Sequence, residues 1–152
     1  MIKTLPPGCQ KLLEAKCRSG LTFEAIAKKV GRDEVWVAAL FYGQAQPSKD
    51  DINTLAALLN LSAETLVEDF VFSGLPTRGG LIETNTRDPV LYRFFEIFQN
   101  YGVPLKAILQ EKFGDGIMSA VNFKMHVDKV PTPKGDRVKI TLDGAFLPYK
   151  PW

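Results

Sequence analysis

The sequence predicts an α+β protein with two parts, because the period of its apolar residues changes along the chain. Residues 9–72 carry apolar side chains at helical spacing, between recognisable helix-start signals. Residues 121–130, VNFKMHVDKV, alternate apolar and polar side chains, which is typical of a β-strand. A stretch rich in glycine and proline separates the two patterns. We therefore expect an all-helical, repressor-like N-terminal domain and a small C-terminal domain of helix and β-hairpin.

Bulk composition narrows the class of protein. The chain has 152 residues and 45% hydrophobic residues, enough for a globular core. Its 19 basic and 17 acidic residues give a net charge of +2, too balanced for a non-specific nucleic-acid or membrane-surface binder. The start, MIKTLPPG, lacks the apolar run of a secretory signal, and no segment approaches the roughly 20 apolar residues of a membrane span. We expect a cytoplasmic protein without nucleic-acid or membrane partners.

Cysteine and histidine usage argues against a disulfide or a metal site. Cys9 and Cys17 fall on one predicted helix, about 12 Å apart at ~1.5 Å rise per residue, which is too far for a bond between them. We expect both as small core residues. His126 is the single histidine, so a zinc site has almost no ligands to draw on.

The N-terminal part is predicted to be a series of short helices that begin at capping residues. The first holds Leu12 and Leu13 and ends before Ser19 and Gly20. Three later helices follow a serine or threonine whose side-chain oxygen can accept a backbone N–H bond, and hydrophobic pairs flank two of these caps. The predicted caps are Thr22, Ser48 and Ser62, and the flanking pairs are Leu21 with Ile26 and Leu61 with Leu66.

The domain boundary is predicted in the stretch SGLPTRGGLIETNTRDP, residues 73–89, where glycine and proline break the helical period. A connector of this composition is typical of a link between two separately folded parts. The predicted limits are 1–76 for the helical domain, 77–88 for the linker and 89–152 for the C-terminal domain.

Two helices are predicted to open the C-terminal domain. Asp88 can cap the first, with Pro89 in the favoured first helical position. Gly102 and Pro104 are then expected to end that helix and to open a second one that runs to Gly114.

A β-hairpin is predicted to follow. PTPKGD supplies a turn after the first strand, RVKITL is the natural return strand, and DGAFLPYKPW is a tail. A two-stranded hairpin is marginally stable alone, and two helices with one hairpin are small to bury their own aromatic residues. We therefore predict an obligate oligomer that associates through the C-terminal domain.

Residues 22–43 resemble the helix-turn-helix of phage repressors, which raises an alternative function. A DNA-binding regulator would present the start of the second helix to base edges, but that start carries Asp33 and Glu34, which phosphates repel. The helix also lacks the Arg, Asn and Gln that read guanine and adenine. Nearby positive charge comes only from Lys28, Lys29 and Arg32. The alternative, a regulator with a ligand-sensing C-terminal domain, is therefore the weaker hypothesis.

The predicted helix VLYRFFEIFQNYG, residues 90–102, carries a pair of charged residues. The sequence pattern alone does not decide what role this pair has. Arg93 and Glu96 lie three residues apart, in the less favourable order for a helical ion pair, so the pair contributes about 0.2–0.5 kcal/mol at most. They mark either a solvated face or a site for a charged substrate. At about 100° per residue, the apolar arc holds Val90, Leu91, Phe94, Phe95, Ile97, Phe98 and Tyr101, and the polar arc holds Tyr92, Arg93, Glu96, Gln99 and Asn100.

A second candidate site is FGDGIMSA, residues 113–120. Backbone amides near its two glycines could hold an anion, although a helix C-cap followed by a tight turn explains both glycines equally well. Ser119 lacks a base as a partner, because His126 is expected on the polar side of a strand. Hydrogen-bond donation is the role that we expect for Ser119.

Three blocks, DPVLYRFFEIFQNYG, LKAILQEKFGDGIMSAVNFK and VKITLDGAFLPYKPW, together resemble the cyanate lyase family, also called cyanase or cyanate hydratase. The blocks keep the family's order and spacing and follow its repressor-like helical domain. The resemblance implies conversion of cyanate and bicarbonate to carbamate and carbon dioxide, after which carbamate gives ammonia and a second carbon dioxide. It implies no metal or organic cofactor, with bicarbonate as co-substrate, and a role in cyanate detoxification or nitrogen release.

The resemblance also implies which residues act. The family's catalytic arginine and glutamate match Arg93 and Glu96, and its serine after the Gly-Asp-Gly turn matches Ser119. Arg93 would then clamp an anion, while Ser119 and nearby backbone amides would donate to the dianionic adduct. Glu96 would orient Arg93 or hold a proton. The family's usual assembly, a homodecamer of interlocked dimers with sites at subunit interfaces, agrees with the undersized C-terminal domain.

Overall fold

A computed structural model describes residues 5–76 and 87–152 of the chain. The chain divides into two compact units, Met1–Ile82 and Glu83–Trp152. Most of the linker predicted at 77–88 lies outside the described residues. The first unit holds α1 Pro7–Ser19, α2 Phe23–Val30, α3 Glu34–Phe41, α4 Lys49–Leu59 and α5 Ala63–Ser73, and the second holds α6 Pro89–Phe113, β1 Gly116–Thr132 and β2 Gly135–Pro148. The predicted α+β class is confirmed.

The helices begin where their capping residues predict. Thr22 Oγ1 accepts a bond from the Ala25 amide at 3.1 Å, and Asp88 Oδ1 accepts from the Val90 amide at 2.9 Å. Ser48 and Asp51 form a reciprocal capping box, in which each side chain accepts from the other residue's amide. Each cap satisfies an amide that the first helical turn leaves without a partner.

The buried apolar residues of the described chain all lie in the first unit. They come from every one of its five helices, so α1 to α5 close around one core. The largest fully buried side chains of this core are Phe41, Leu12, Ile26, Leu40, Leu55, Leu66 and Val37.

Cys9 belongs to this core, as predicted, and Cys17 does not. The Cys9 thiol donates to the Leu40 carbonyl at 3.5 Å, and burial raises its pKa despite an opposing backbone hydrogen bond from Gly43. The expectation that Cys17 is also a core residue is wrong, because Cys17 is exposed. The reason is rotational: Cys9, Leu12 and Ala15 share one face of α1, whereas Cys17 falls on the opposite face at about 100° per residue.

The expectation of two helices between Asp88 and Gly114 is also wrong. A single helix of 25 residues, α6, runs through Pro104. Proline has a φ compatible with the helix, so it removes one hydrogen bond, at a cost of roughly 3 kcal/mol, without forcing an end. Gly102 is not among the glycines of positive φ, so it provides no left-handed cap that would stop the helix there.

The predicted hairpin is confirmed, and its strands are longer than the sequence pattern indicated. β1 and β2 pair antiparallel from Thr132 opposite Gly135 out to Gly116 opposite Pro148. β2 therefore takes up much of the segment predicted as a tail. The register breaks between Met118 and Phe123, which lie opposite Phe146 and Gly144, so residues 119–122 face only Ala145. A bulge of this kind bends a strand and redirects its side chains.

An ion pair joins the turn after α2 to the start of α4, with its carboxylate buried and its guanidinium partly exposed. Arg32 Nε and Nη2 donate to the two carboxylate oxygens of Asp51 at 3.0 and 3.1 Å. The Ser48 amide donates to Asp51 Oδ2 at 2.9 Å. Burial by itself raises the pKa of Asp51, but the hydrogen bonds from Arg32 and Ser48 outweigh it and hold that pKa below its ordinary value.

Asp51→Asn is expected to lower the free energy of unfolding by about 1–3 kcal/mol, because an amide N–H would replace an acceptor facing the guanidinium. Because folding lowers the pKa of Asp51, the contribution of the ionised carboxylate to stability is present at neutral pH and is lost as pH falls through the lowered folded-state pKa. Chemical unfolding followed by circular dichroism should show that the free energies of unfolding of wild type and variant differ less near pH 3 than at neutral pH. The exposed neighbour Asp50→Asn is the control, and an equal gap at both pH values would contradict this account.

Candidate active site

Arg93 and Glu96 form an ion pair on the surface of α6. The Asp88 cap fixes the start of the helix, and one helical turn then brings the two side chains together, with Arg93 Nη1 donating to Glu96 Oε2. The Arg93 side chain is 69% exposed and that of Glu96 is 35% exposed. The pair is therefore accessible in the single chain, which a site for a charged substrate requires.

Ser119 is the one buried residue in the described range 87–152, with 4% of its surface exposed. It lies at the start of the bulge in β1. Its Oγ accepts bonds from the amides of Val121 at 3.1 Å and Asn122 at 2.9 Å. A serine hydroxyl has two lone pairs and one proton, so these two bonds leave it only the proton to offer. This geometry leaves Ser119 suited to donate a hydrogen bond, and the donor role of this residue stays a prediction.

The amides of Val121 and Asn122 do not fit the expectation that amides near Ser119 serve an anion. Both donate to the serine oxygen instead. The glycine-flanked turn also differs from expectation. Gly114 ends α6 with a φ of 85°, but Gly116 is already in β1, where a Cβ would lie 2.5 Å from the Leu147 carbonyl oxygen. The second glycine is thus required by close strand approach and not by a turn.

The pair of Arg93 and Glu96 is not in direct contact with Ser119 through a polar interaction within the described part of one chain. Among the described residues, no hydrogen bond or ion pair links Ser119 to Arg93 or Glu96. Around the junction of α6 with the hairpin, the Phe113 and Phe146 rings stack at 5.2 Å and the Tyr149 amide donates to the Asp115 carbonyl at 3.1 Å. Their common site stays a prediction that requires more than one chain.

The second unit exposes its apolar side chains. The arc of α6 expected to pack in a core is instead open to solvent, with Phe98 52% and Tyr101 64% exposed. On β1, Val121 is 96% exposed. In the part of the chain that the structure describes, residues 87–152 bury no apolar side chain. An apolar surface of this extent is typical of an interface between protein chains.

The helix-turn-helix is formed by α2 and α3, and its charges do not suit DNA. Asp33 caps α3 and Glu34 follows in its first turn, so the helix end that would approach DNA is acidic. Lys28 pairs with Glu24 at 2.8 Å, and Arg32 is held by Asp51. Two of the three nearby basic residues thus already have acidic partners.

Neither His126 nor any group of metal-ligating residues forms a further candidate site in the described part of the chain. His126 lies on the exposed face of β1, as predicted, with Nε2 3.1 Å from Asp128 Oδ1. Within the described residues, no three His, Cys, Asp or Glu side chains are grouped so that they could hold a metal ion. Among the helices of that same part, none is long and apolar enough to cross a membrane.

Comparison with known proteins defines the class of this one. Residues 9–68 match the family model "Cyanate hydratase, N-terminal", and residues 83–151 match "Cyanate lyase C-terminal domain". A crystal structure of cyanase from T. urticae shares the fold with a TM-score of 0.81, at 33% identity over 93% of this chain and 96% of that one. The protein is therefore an enzyme of the lyase type, and none of these matches favours the DNA-binding alternative.

The particular family follows from curated relatives over the whole chain. The cyanate hydratase of Parasynechococcus marenigrum is 53% identical over 141 residues, which cover 93% of this chain and 94% of the relative. That of Coprinopsis cinerea is 47% identical over 152 residues and covers both chains completely. The chain belongs to the cyanate lyase family, and the resemblance inferred from the three sequence blocks is confirmed.

Proposed function

We propose that this protein decomposes cyanate with bicarbonate as co-substrate. A bicarbonate oxygen bonds to the cyanate carbon, and the adduct then loses carbon dioxide and takes up one proton to leave carbamate. Carbamate takes up a second proton and gives ammonia and another carbon dioxide. The observation that carries the proposal is the similarity to cyanate hydratases along the full chain, 51% identity over 149 residues in one relative from Prochlorococcus marinus.

Arg93 is the proposed clamp for an anion. A guanidinium carries five N–H donors in a planar fork that matches a carboxylate-like group such as bicarbonate. The bond to Glu96 uses Nη1, and in the described part of the chain no other hydrogen bond occupies the remaining donors. Arg93 can therefore hold an anion while Glu96 fixes one side of its fork.

Ser119 is the proposed donor to the adduct. Its oxygen already accepts from two amides, so the hydroxyl proton is left to donate to the adduct as charge accumulates. Cyanate has three heavy atoms, and a ceiling of about 1.5 kcal/mol per atom limits its binding to roughly millimolar affinity. The rate must therefore come from orientation of the two anions and from fixed donors that stabilise the dianionic transition state.

Assembly of subunits is proposed to complete the site. One chain leaves the apolar faces of α6 and the hairpin exposed and leaves Arg93 unconnected to Ser119. Burial of these faces against other subunits would stabilise the assembly by about 25 cal/mol per Å² of apolar surface. It would also allow an arginine of one chain to approach the serine of another. We propose a homodecamer of interlocked dimers, without metal or organic cofactor; a cytoplasmic location stays a prediction.

Ammonia release tests the function directly. Wild-type protein should release ammonia from cyanate only when bicarbonate is present, and Arg93→Ala should lower that rate by at least about 100-fold, because one preorganised charge donor is lost. The matched control is Arg18→Ala, which removes an arginine from another exposed helical ion pair, with Glu14 at 4.0 Å. Full activity of Arg93→Ala in an intact oligomer would refute the site, and activity without bicarbonate would refute the reaction.

The variant Glu96→Gln distinguishes the two possible roles of Glu96, orientation of Arg93 and proton transfer. The amide keeps an oxygen that can accept from Arg93 but cannot carry a proton between reacting groups. If Glu96 orients Arg93, as their hydrogen bond supports, kcat should fall by less than about tenfold and the pH–rate profile should keep its shape. A loss near 100-fold with loss of one limb of the profile would instead assign proton transfer to Glu96.

Light scattering at micromolar concentration tests the assembly. The expected mass is ten times the 16.9 kDa of one chain. Phe98→Asp should produce smaller species, because it places a charge on the apolar arc of α6, and Gln99→Asp on the polar arc should leave the mass unchanged. A monomeric wild-type protein at this concentration would contradict the proposed assembly.

A further inference from the structure

Gly144 lies in β2, close against the backbone of Ser119. It pairs with Phe123, the first paired residue after the bulge in β1. A Cβ at this position would lie 2.5 Å from the Ser119 carbonyl oxygen and 2.5 Å from Met118 Cγ. Both distances are far inside the roughly 3.5–4.0 Å at which carbon atoms pack. Any side chain here would clash with both neighbours.

The glycine is required by space and not by backbone conformation. Gly144 is absent from the glycines of positive φ, whereas Gly114 and Gly135 are among them. An alanine at position 144 would therefore meet no intrinsic φ penalty, and its effect would come only from contact. The two contacts also differ in kind: the Met118 side chain can rotate away, but the carbonyl of Ser119 can yield only if the Ser119 backbone moves.

Movement of the Ser119 backbone would change the direction of its hydroxyl. The Oγ is held by the amides of Val121 and Asn122, so its donor direction is set by the path of residues 119–122. That path is a bulge opposite Ala145, directly beside Gly144. We infer that Gly144 is a positioning residue for Ser119: its missing side chain lets β2 close against the Ser119 carbonyl and fixes where the hydroxyl points. The inference rests on the proposed function, in which Ser119 donates to the dianionic adduct.

Gly144→Ala tests this role in the full-length, assembled protein. Because a displacement near 1 Å can cost about 100-fold, we expect kcat to fall by 10- to 100-fold, while KM for bicarbonate stays within about threefold. Hydrogen exchange, resolved to single amides by mass spectrometry, should speed up at least about tenfold at Val121 and Asn122. The paired residues 124–129 should keep their protection.

A second pair of variants distinguishes the effect of the contact with the Ser119 carbonyl from that of the contact with the Met118 side chain. Met118→Ala should keep kcat within about threefold of wild type, and adding it to Gly144→Ala should not restore the rate, because the clash with the Ser119 carbonyl remains. Recovery in the double variant would assign the effect to methionine packing and overturn the inference. Wild-type kcat in Gly144→Ala, or its failure to assemble, would also overturn it.

Ser119→Ala distinguishes this inference from the proposed function. If Ser119→Ala retains full activity, the donor role of the serine fails, whatever Gly144 does. If Ser119→Ala loses activity and Gly144→Ala does not, only the positioning role fails. The positioning role of Gly144 is supported if amide exchange at Val121 and Asn122 is faster in Gly144→Ala and if Gly144→Ala and Ser119→Ala both lose kcat.

Discussion

The distribution of buried apolar surface is the constraint on which the rest of this protein depends. Five short helices close around one core, and all of the buried apolar residues in the described chain belong to it. The long helix α6 and the hairpin, by contrast, bury only Ser119 within residues 87–152. A helix and a two-stranded sheet cannot stably leave this much apolar surface in water. In the proposed assembly, other copies of the chain supply the missing core, so stability of the second unit and completion of the site arise together.

The proposed site of Arg93 and Ser119 offers donors that could hold two anions together. A guanidinium provides charge and a planar set of donors, and a serine whose lone pairs are both occupied can only donate. Neither group needs to change its protonation state to stabilise a dianion. Glu96 would repel an anion if it faced the substrate directly, but its carboxylate is engaged by Arg93. In the proposed site, this bond would let Glu96 orient Arg93, which is one of the two roles that the sequence leaves open for the glutamate.

Prediction from sequence succeeded where a structural feature depends on residues close together in the chain. Thr22, Ser48, Ser62 and Asp88 cap helices because each bonds to amides two or three residues away. Prediction from sequence failed where a structural feature depends on long-range packing or on a balance between opposing energies. Cys17 lies on the outer face of α1 and not in the core, and α6 continues through Pro104, where the pattern predicts an end. Proline weakens a helix by a finite amount, so its presence alone does not decide where the helix ends.

The sequence by itself determined the family, the two-part α+β organisation and the identity of the candidate residues Arg93, Glu96 and Ser119, because blocks of residues and apolar periods are local properties of the chain. Only the tertiary structure decided which residue lies against the backbone of Ser119. Across the hairpin, the Ser119 carbonyl lies so close to Gly144 that a Cβ there would be 2.5 Å away, and no local pattern near residue 119 contains that contact. The proposed meeting of Arg93 with Ser119 would require more than one chain, since the fold of a single chain presents both groups without joining them.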